Sequence, residues 1–170
     1  MYKLFSIIIE SAEKKLGEPV DWLRKLLTSS KSAVLKYFLS TPLANHPKFA
    51  TAGQVAAAKI RTVLHESCGS CVQIEINLAK QNGVPAETIK HIAEENYDSL
   101  SEEISLVARF TDAVLLRNME EQDLRKNIIE MHGEHILSEI SLAIATAQFH
   151  PTVKRAMGYG TVCENGDLKY

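Results

Sequence analysis

The chain has 170 residues, 45% of them hydrophobic and 24% charged, with a formal net charge of −2; it is long enough to bury one good core without disulfides or metals. Both signs of charge are mixed along it, which leaves no footprint for nucleic acid and no polybasic run for a membrane surface. Three cysteines, two of them clustered, do not make a secreted disulfide framework.

Residues 2–16 place Leu4, Ile8 and Ala12 on one helical stripe, with Phe5, Ile9 and Leu16 alongside, and Gly17 ends the run. The apolar run from Leu4 to Ile9 is preceded only by Lys3 and followed by no small-residue cleavage site. It is too short for a secretory leader, and no segment reaches the ~20 apolar residues of a membrane span, so a cytoplasmic protein is expected. Pro19 and Asp21 mark a second helix start, with Trp22, Leu23, Leu26 and Leu27 as its apolar face. The polar stretch 28–32 reads as a break or an exposed turn before the Ala33-Val34-Tyr37-Phe38 stripe. Pro42 and His46-Pro47 then punctuate the chain.

The alanine-rich run from Ala50 to Ala58 predicts a helix over about 48–66, buried on Ala56, Ile60, Val63 and Leu64, with Arg61 and His65 pointing away. The segment from Val72 to Leu78 alternates apolar and polar residues, the pattern of a half-buried strand. The same residues also sort onto a helix, with Cys68, Cys71, Val72, Ile74, Ile76, Leu78 and Ala79 on one arc and Gln73, Asn77, Lys80 and Gln81 on the other. Helix is the reading adopted. No second convincing strand exists to satisfy a lone one, and Gly83 followed by Pro85 makes a helix stop.

A short helix follows to Glu94, then a turn at 96–100. Ser99 and Glu102 suggest a capping box for a helix over 100–117 with Ile104, Val107, Ala108, Thr111, Val114 and Leu115 buried. Residues 120–131 form another around Leu124, Ile128 and Ile129, closed near Gly133. The last long helix runs from Glu134 to Phe149 on Ile136, Ile140, Ala143, Ile144 and Ala147. Pro151 stops it, with one further turn to Met157. The expected fold is therefore an all-α, single-domain helical bundle. Residues 1–45 form an N-terminal helical lobe, 46–162 a core carrying the cysteine pair, and 163–170 a polar tail with Cys163.

The reactive residues concentrate in His65-Glu66-Ser67-Cys68-Gly69-Ser70-Cys71. A Cys-x-x-Cys pair can close a reversible disulfide, supply half of a zinc site, or be two small buried hydrophobes. Zinc is short of ligands, because no second Cys-x-x-Cys or His pair is present and Cys163 stands in the tail. At the start of a helix both thiols meet unpaired N–H groups and a positive dipole end, which stabilise a thiolate. Glu75 lies within the apolar arc one turn after Cys71, where a carboxylate is costly unless paired or protonated. It is a candidate proton acceptor for a thiol; the alternative is a side chain that bends to solvent or pairs with a lysine or arginine of another helix. His65 and Glu66, three and two residues before Cys68, complete the candidate set, with plain surface positions as their alternative.

With these residues in view, the chain resembles the alkyl hydroperoxidase D-like branch of the carboxymuconolactone decarboxylase superfamily. Three runs carry the resemblance, HESCGSCVQIEINLAKQNGV, LSEEISLVARFTDAV and LAIATAQFHPTVKRAMGYG, spanning roughly residues 48–162. The resemblance implies an all-helical homo-oligomer that reduces peroxides or disulfides through a Cys68/Cys71 dithiol, with no cofactor or metal. A thiol reductant or thioredoxin-like partner would reset it, and no nucleic-acid or membrane partner is expected. The histidine that this family commonly places four residues after the second cysteine is Glu75 here. Its upstream glutamate falls near Ala56, so Glu66 and Glu75 are the expected replacements. Two other readings remain at this point: a non-catalytic helical binding protein with structural thiols, and a decarboxylase or isomerase of a small carboxylate with Glu75 as base.

Overall fold

The computed structural model describes residues 2–40, 47–159 and 168–170, and among them every regular element is helical. The predicted boundary between residues 45 and 46, the side chain of Leu4 and Cys163 lie outside the described residues. The alternating segment 72–78 is helix, inside α5 (Gly69–Gln81).

The N-terminal lobe is α1 (Tyr2–Leu16), α2 (Asp21–Ser29) and α3 (Lys31–Ser40). The polar stretch between the last two is a real break, with Ser30 extended and its hydroxyl accepting from the N–H of Ala33 at 3.2 Å. Ile9, Val20, Trp22, Leu23, Val34 and Tyr37 give the lobe a small core of its own. Each such side chain contributes roughly 1.5–3 kcal/mol when fully buried. Two orphan carbonyls at the end of α1 are satisfied by α5. Asn77 donates to Leu16 at 2.8 Å and Gln81 to Lys15 at 2.7 Å. Gly17 turns the chain at φ +72°, and a Cβ there would meet the Asn77 amide at 2.8 Å.

The larger core is built around α4 (Ala52–His65), which packs on α5, on α6 (Ala86–Ala93), on α7 (Glu102–Leu116) and on α9 (Glu134–Ala156). The helix α8 (Glu121–His132) closes the bundle against α7 and α9. Small residues let these helices approach α4: Ala56, Ala57 and Ala58 are buried, and a Cβ on Gly53 would lie 2.6 Å from Ile104. A capping box that the sequence reading did not anticipate starts α4, with Thr51 and Gln54 exchanging side-chain and backbone bonds. Just before it, Glu139 on α9 accepts from the N–H groups of Lys48, Phe49 and Ala50 at 2.7–3.3 Å. Burial works against that carboxylate, but these donors hold its pKa below the ordinary value.

Three expectations are corrected. Arg61 does not point away from the core; it is 3% exposed, because α4 is covered on nearly every side rather than along one stripe. The Ser99–Glu102 capping box does not form. Ser99 closes a 3₁₀ turn (Tyr97–Ser99), Leu100 is extended, and Ser101 becomes the N-cap of α7 without a side-chain bond. Leu106, Phe110 and Ala113 are buried beside the predicted stripe, because α7 is packed between α4 and α8. Pro151 does not stop α9 either. The helix continues to Ala156 with Pro151 inside it and buried. Proline forfeits one backbone bond, but the extra turns place Val153 and Met157 against the core of the N-terminal lobe.

Candidate functional site

Cys68 is the N-cap of α5 and Cys71 stands in its first turn, so their sulfurs meet across a single turn. The pair is disulfide-bonded, with Cα atoms 5.2 Å apart, and both residues are buried. Ser67, at φ +51°, makes the sharp turn that separates the end of α4 from this start.

A cavity of about 660 Å³ lies between the N-terminal lobe and the faces of α4, α5 and α9. Trp22, Leu23 and Phe38 line it from the lobe, and Val55, Ile74 and Leu78 from the core. Its polar lining consists chiefly of Cys71, Glu75, Lys59, Tyr37, His150 and Lys154. A largely apolar hollow with a few converging polar groups is the usual form of a small-molecule site, and this volume is of that order.

The electrostatics of this group follow from burial. Glu75 is only 8% exposed, and desolvation raises its pKa, with Lys59 on α4 pulling the other way. Half of the alternative reading of Glu75 therefore applies: a lysine from another helix does face it. His150 on α9 is pushed down to about 4, first by burial and then by the positive charge of Lys59. At neutral pH it is an uncharged imidazole. Its Nδ1 shares a hydrogen bond of 2.7 Å with the Tyr37 hydroxyl, which reaches over from α3. Burial and the charge of Glu75 keep the Tyr37 proton in place. Phe149 stacks on Tyr37, with ring centroids 5.7 Å apart. Lys154, one turn after His150, is buried against Ser70, and its Nζ lies 3.8 Å from the Cys68 sulfur. Desolvation lowers its pKa, partly offset by Glu18.

Of the residues singled out from the sequence, Cys68, Cys71 and Glu75 come together here. Glu66 and His65 do not line the cavity. Glu66 is paired with Arg155 at 2.8 Å and accepts from Gln148 at 3.3 Å. His65 bonds Asp112 at 2.8 Å, in a network where Asp112 also takes Arg61 at 2.9 Å and the Tyr97 hydroxyl. Sequence reasoning missed Tyr37, Lys59, His150 and Lys154. Lys59 carried a signal, a charge inside an otherwise apolar alanine-rich helix. His150 and Lys154 are four apart and so share a helical face, but only once Pro151 is read as interior. Among the described residues no group of three or more His, Cys, Asp and Glu is arranged to hold a metal ion, and no helix is long and apolar enough to cross a membrane. The chain matches no known family model, and no curated protein or solved structure is found to be similar to it.

Proposed function

We propose that this protein is a thiol-dependent oxidoreductase that cycles Cys68 and Cys71 between dithiol and disulfide to reduce a peroxide or a disulfide bound in the cavity. The observation that carries the reading is a bonded cysteine pair with one member, Cys71, on the cavity wall beside a buried carboxyl group. The resemblance to the alkyl hydroperoxidase D-like branch supports the same chemistry, together with a homo-oligomeric assembly.

In the oxidative half, the Cys71 sulfur attacks one oxygen of the peroxide. A sulfur–oxygen bond forms, the oxygen–oxygen bond breaks, and the remaining oxygen leaves as an alcohol or water. A carboxylate next to a thiol opposes thiolate formation by its charge. Glu75 assists only by taking the thiol proton as the thiolate forms and passing it to the departing oxygen. A carboxyl whose proton is held more tightly by burial is suited to that transfer. Cys68 then attacks the Cys71 sulfenic acid, water leaves, and the disulfide closes. A dithiol or thioredoxin-like reductant supplies two electrons to reopen it.

The test is turnover of peroxide and of a model disulfide by the wild type, Cys68→Ser and Cys71→Ser, with peptide mass spectrometry after brief oxidation. Turnover lost in both variants, with the Cys68–Cys71 bond appearing on oxidation of the wild type, is the expected result. Wild-type protein that turns over neither substrate, or serine variants that keep full turnover, would end the redox reading. An activity on a small carboxylate that survives both serine variants would instead mark Glu75 as the base of a decarboxylase or isomerase.

A further inference from the structure

Lys154 is a buried amine whose hydrogen-bond partners, the Ser70 hydroxyl and the Cys68 sulfur, are both uncharged while the disulfide is closed. A cation taken out of water is costly unless an opposite charge meets it. Opening the disulfide creates such a charge 3.8 Å away, on Cys68. The two sulfurs also differ in access. Cys71 lines the cavity and Cys68 does not, so a molecule in the cavity reaches Cys71 first.

Resting on the thiol oxidoreductase reading, we propose that Lys154 is a catalytic cation that stabilises the Cys68 thiolate and thereby makes Cys68 the leaving sulfur when a reductant attacks the disulfide at Cys71. The reductant is a dithiol. Its first thiolate bonds to the Cys71 sulfur, the bond between the two protein sulfurs breaks, and the electron pair leaves on Cys68 beside the Lys154 ammonium. The second thiol of the reductant, as thiolate, then displaces Cys71. The reductant departs as a disulfide, and two electrons stay with the protein. A leaving thiol of lower pKa departs faster, so a cation at Cys68 accelerates the first step. The Ser70 hydroxyl holds the amine in place from the first turn of α5.

The other charged or titratable groups of this region do not supply the same effect. Glu18 acts on Lys154 from the connection between α1 and α2 and favours its charged form. Glu75 and Lys59 act on one another across the cavity wall, His150 is neutral, and Tyr37 keeps its proton. Glu66, two residues before Cys68, has its charge met by Arg155. Linkage is reciprocal: a thiolate on Cys68 tightens the proton of Lys154 as much as the ammonium loosens that of Cys68.

The experiment is pH-dependent alkylation of the reduced full-length protein with iodoacetamide, read separately at Cys68 and Cys71 by peptide mass spectrometry, alongside equilibration in glutathione buffers. In Lys154→Met the midpoint for Cys68 should rise by at least about one pH unit. The equilibrium should move about tenfold towards the disulfide, roughly 30 mV for a two-electron couple. Lys154→Arg, which keeps the charge, should restore most of both effects. Lys154→Gln replaces the methionine variant if that one loses its helical circular dichroism. A Cys68 midpoint unchanged in a folded neutral variant, or a shift falling on Cys71 alone, overturns the proposal. The functional reading fails separately, when the wild type turns over no peroxide or disulfide; the alkylation profile still decides the role of Lys154.

Discussion

Lys59 and Arg61 are two residues apart on α4, which sends their side chains about 200° apart around the helix, Arg61 into a closed ion-pair network and Lys59 onto a cavity wall. Arg61 meets Asp112 at 2.9 Å and Glu95 at 2.8 Å, and Asp112 also receives His65 and Tyr97. Each charge there has a partner at bonding distance. Lys59 faces a cavity shared with Glu75, His150 and Tyr37, in which burial shifts the protonation of three groups away from their ordinary values. The first arrangement is what a protein does with buried charge when only folding matters. The second keeps protonation states poised and an opening beside them. Burial also raises the pKa of Tyr97 in the first arrangement, so the cavity is what sets the second apart: perturbed groups that line a cleft point to chemistry.

Substitutions on the two sides should separate cleanly. Asp112→Ala leaves Arg61 buried without one of its carboxylates. It should lower unfolding stability by about 3–5 kcal/mol, the scale for breaking a buried pair, in urea titration, while the pH profile of turnover keeps its shape. A stability loss under 1 kcal/mol would erase the distinction. On the cavity side, Glu75→Gln should slow peroxide or disulfide reduction by ~10²-fold or more, the scale of losing a general base. Its pH dependence of stability also has a fixed sign. A carboxyl whose folded pKa is raised contributes stability fully present below the unfolded value near 4.5 and lost as pH rises towards the folded one. The melting temperature of Glu75→Gln relative to the wild type should therefore climb as pH is raised from about 4.5. A constant difference across that range would return Glu75 to an ordinary ion pair.

His150 works in the other direction. Its folded pKa of about 4 lies below the ordinary 6.5, so its contribution is present above 6.5 and fades as pH falls towards 4. His150→Gln should flatten that acid limb in melting curves, and an unaltered limb would mean the imidazole is solvated. The smallest effect is expected from Glu66→Gln. Its pair with Arg155 is more than half exposed on the arginine side, so the loss should stay under about 1 kcal/mol, with turnover changed less than about threefold. A drop comparable to that of Glu75→Gln would bring Glu66 back as a reacting group.

The division between what could be read in the sequence and what could not follows the range of the signal. The helix over 72–78, the cysteine pair at its start and Glu75 among its apolar residues are all local patterns, set by periodicity within one element. Tyr37, Lys59, His150 and Lys154 come from α3, α4 and α9, and only packing brings them to one cavity. Proximity along the chain misled in the same way. His65 and Glu66 adjoin the cysteines in sequence, but the left-handed turn at Ser67 intervenes, and their partners are Asp112 and Arg155. Gln73, Asn77 and Gln81 fall on the arc of α5 opposite its apolar residues. Their amides hold the end of α1 and the backbone of Lys169, the last residue but one.

The core that the N-terminal lobe keeps for itself has a consequence for how the molecule can be altered. The sulfurs and Glu75 belong to α5, whereas Trp22, Leu23 and Phe38, which bound the opposite wall, belong to a unit stabilised largely by its own packing. Aperture and blade are thus cut from different pieces. Replacing Phe38 or Leu23 with smaller or larger side chains should resize the chamber while leaving α5, which carries the sulfurs and Glu75, in place. If the proposed thiol chemistry holds, a library of lobe variants screened against substrates of graded bulk should tune admission while the Cys68–Cys71 pair stays unchanged.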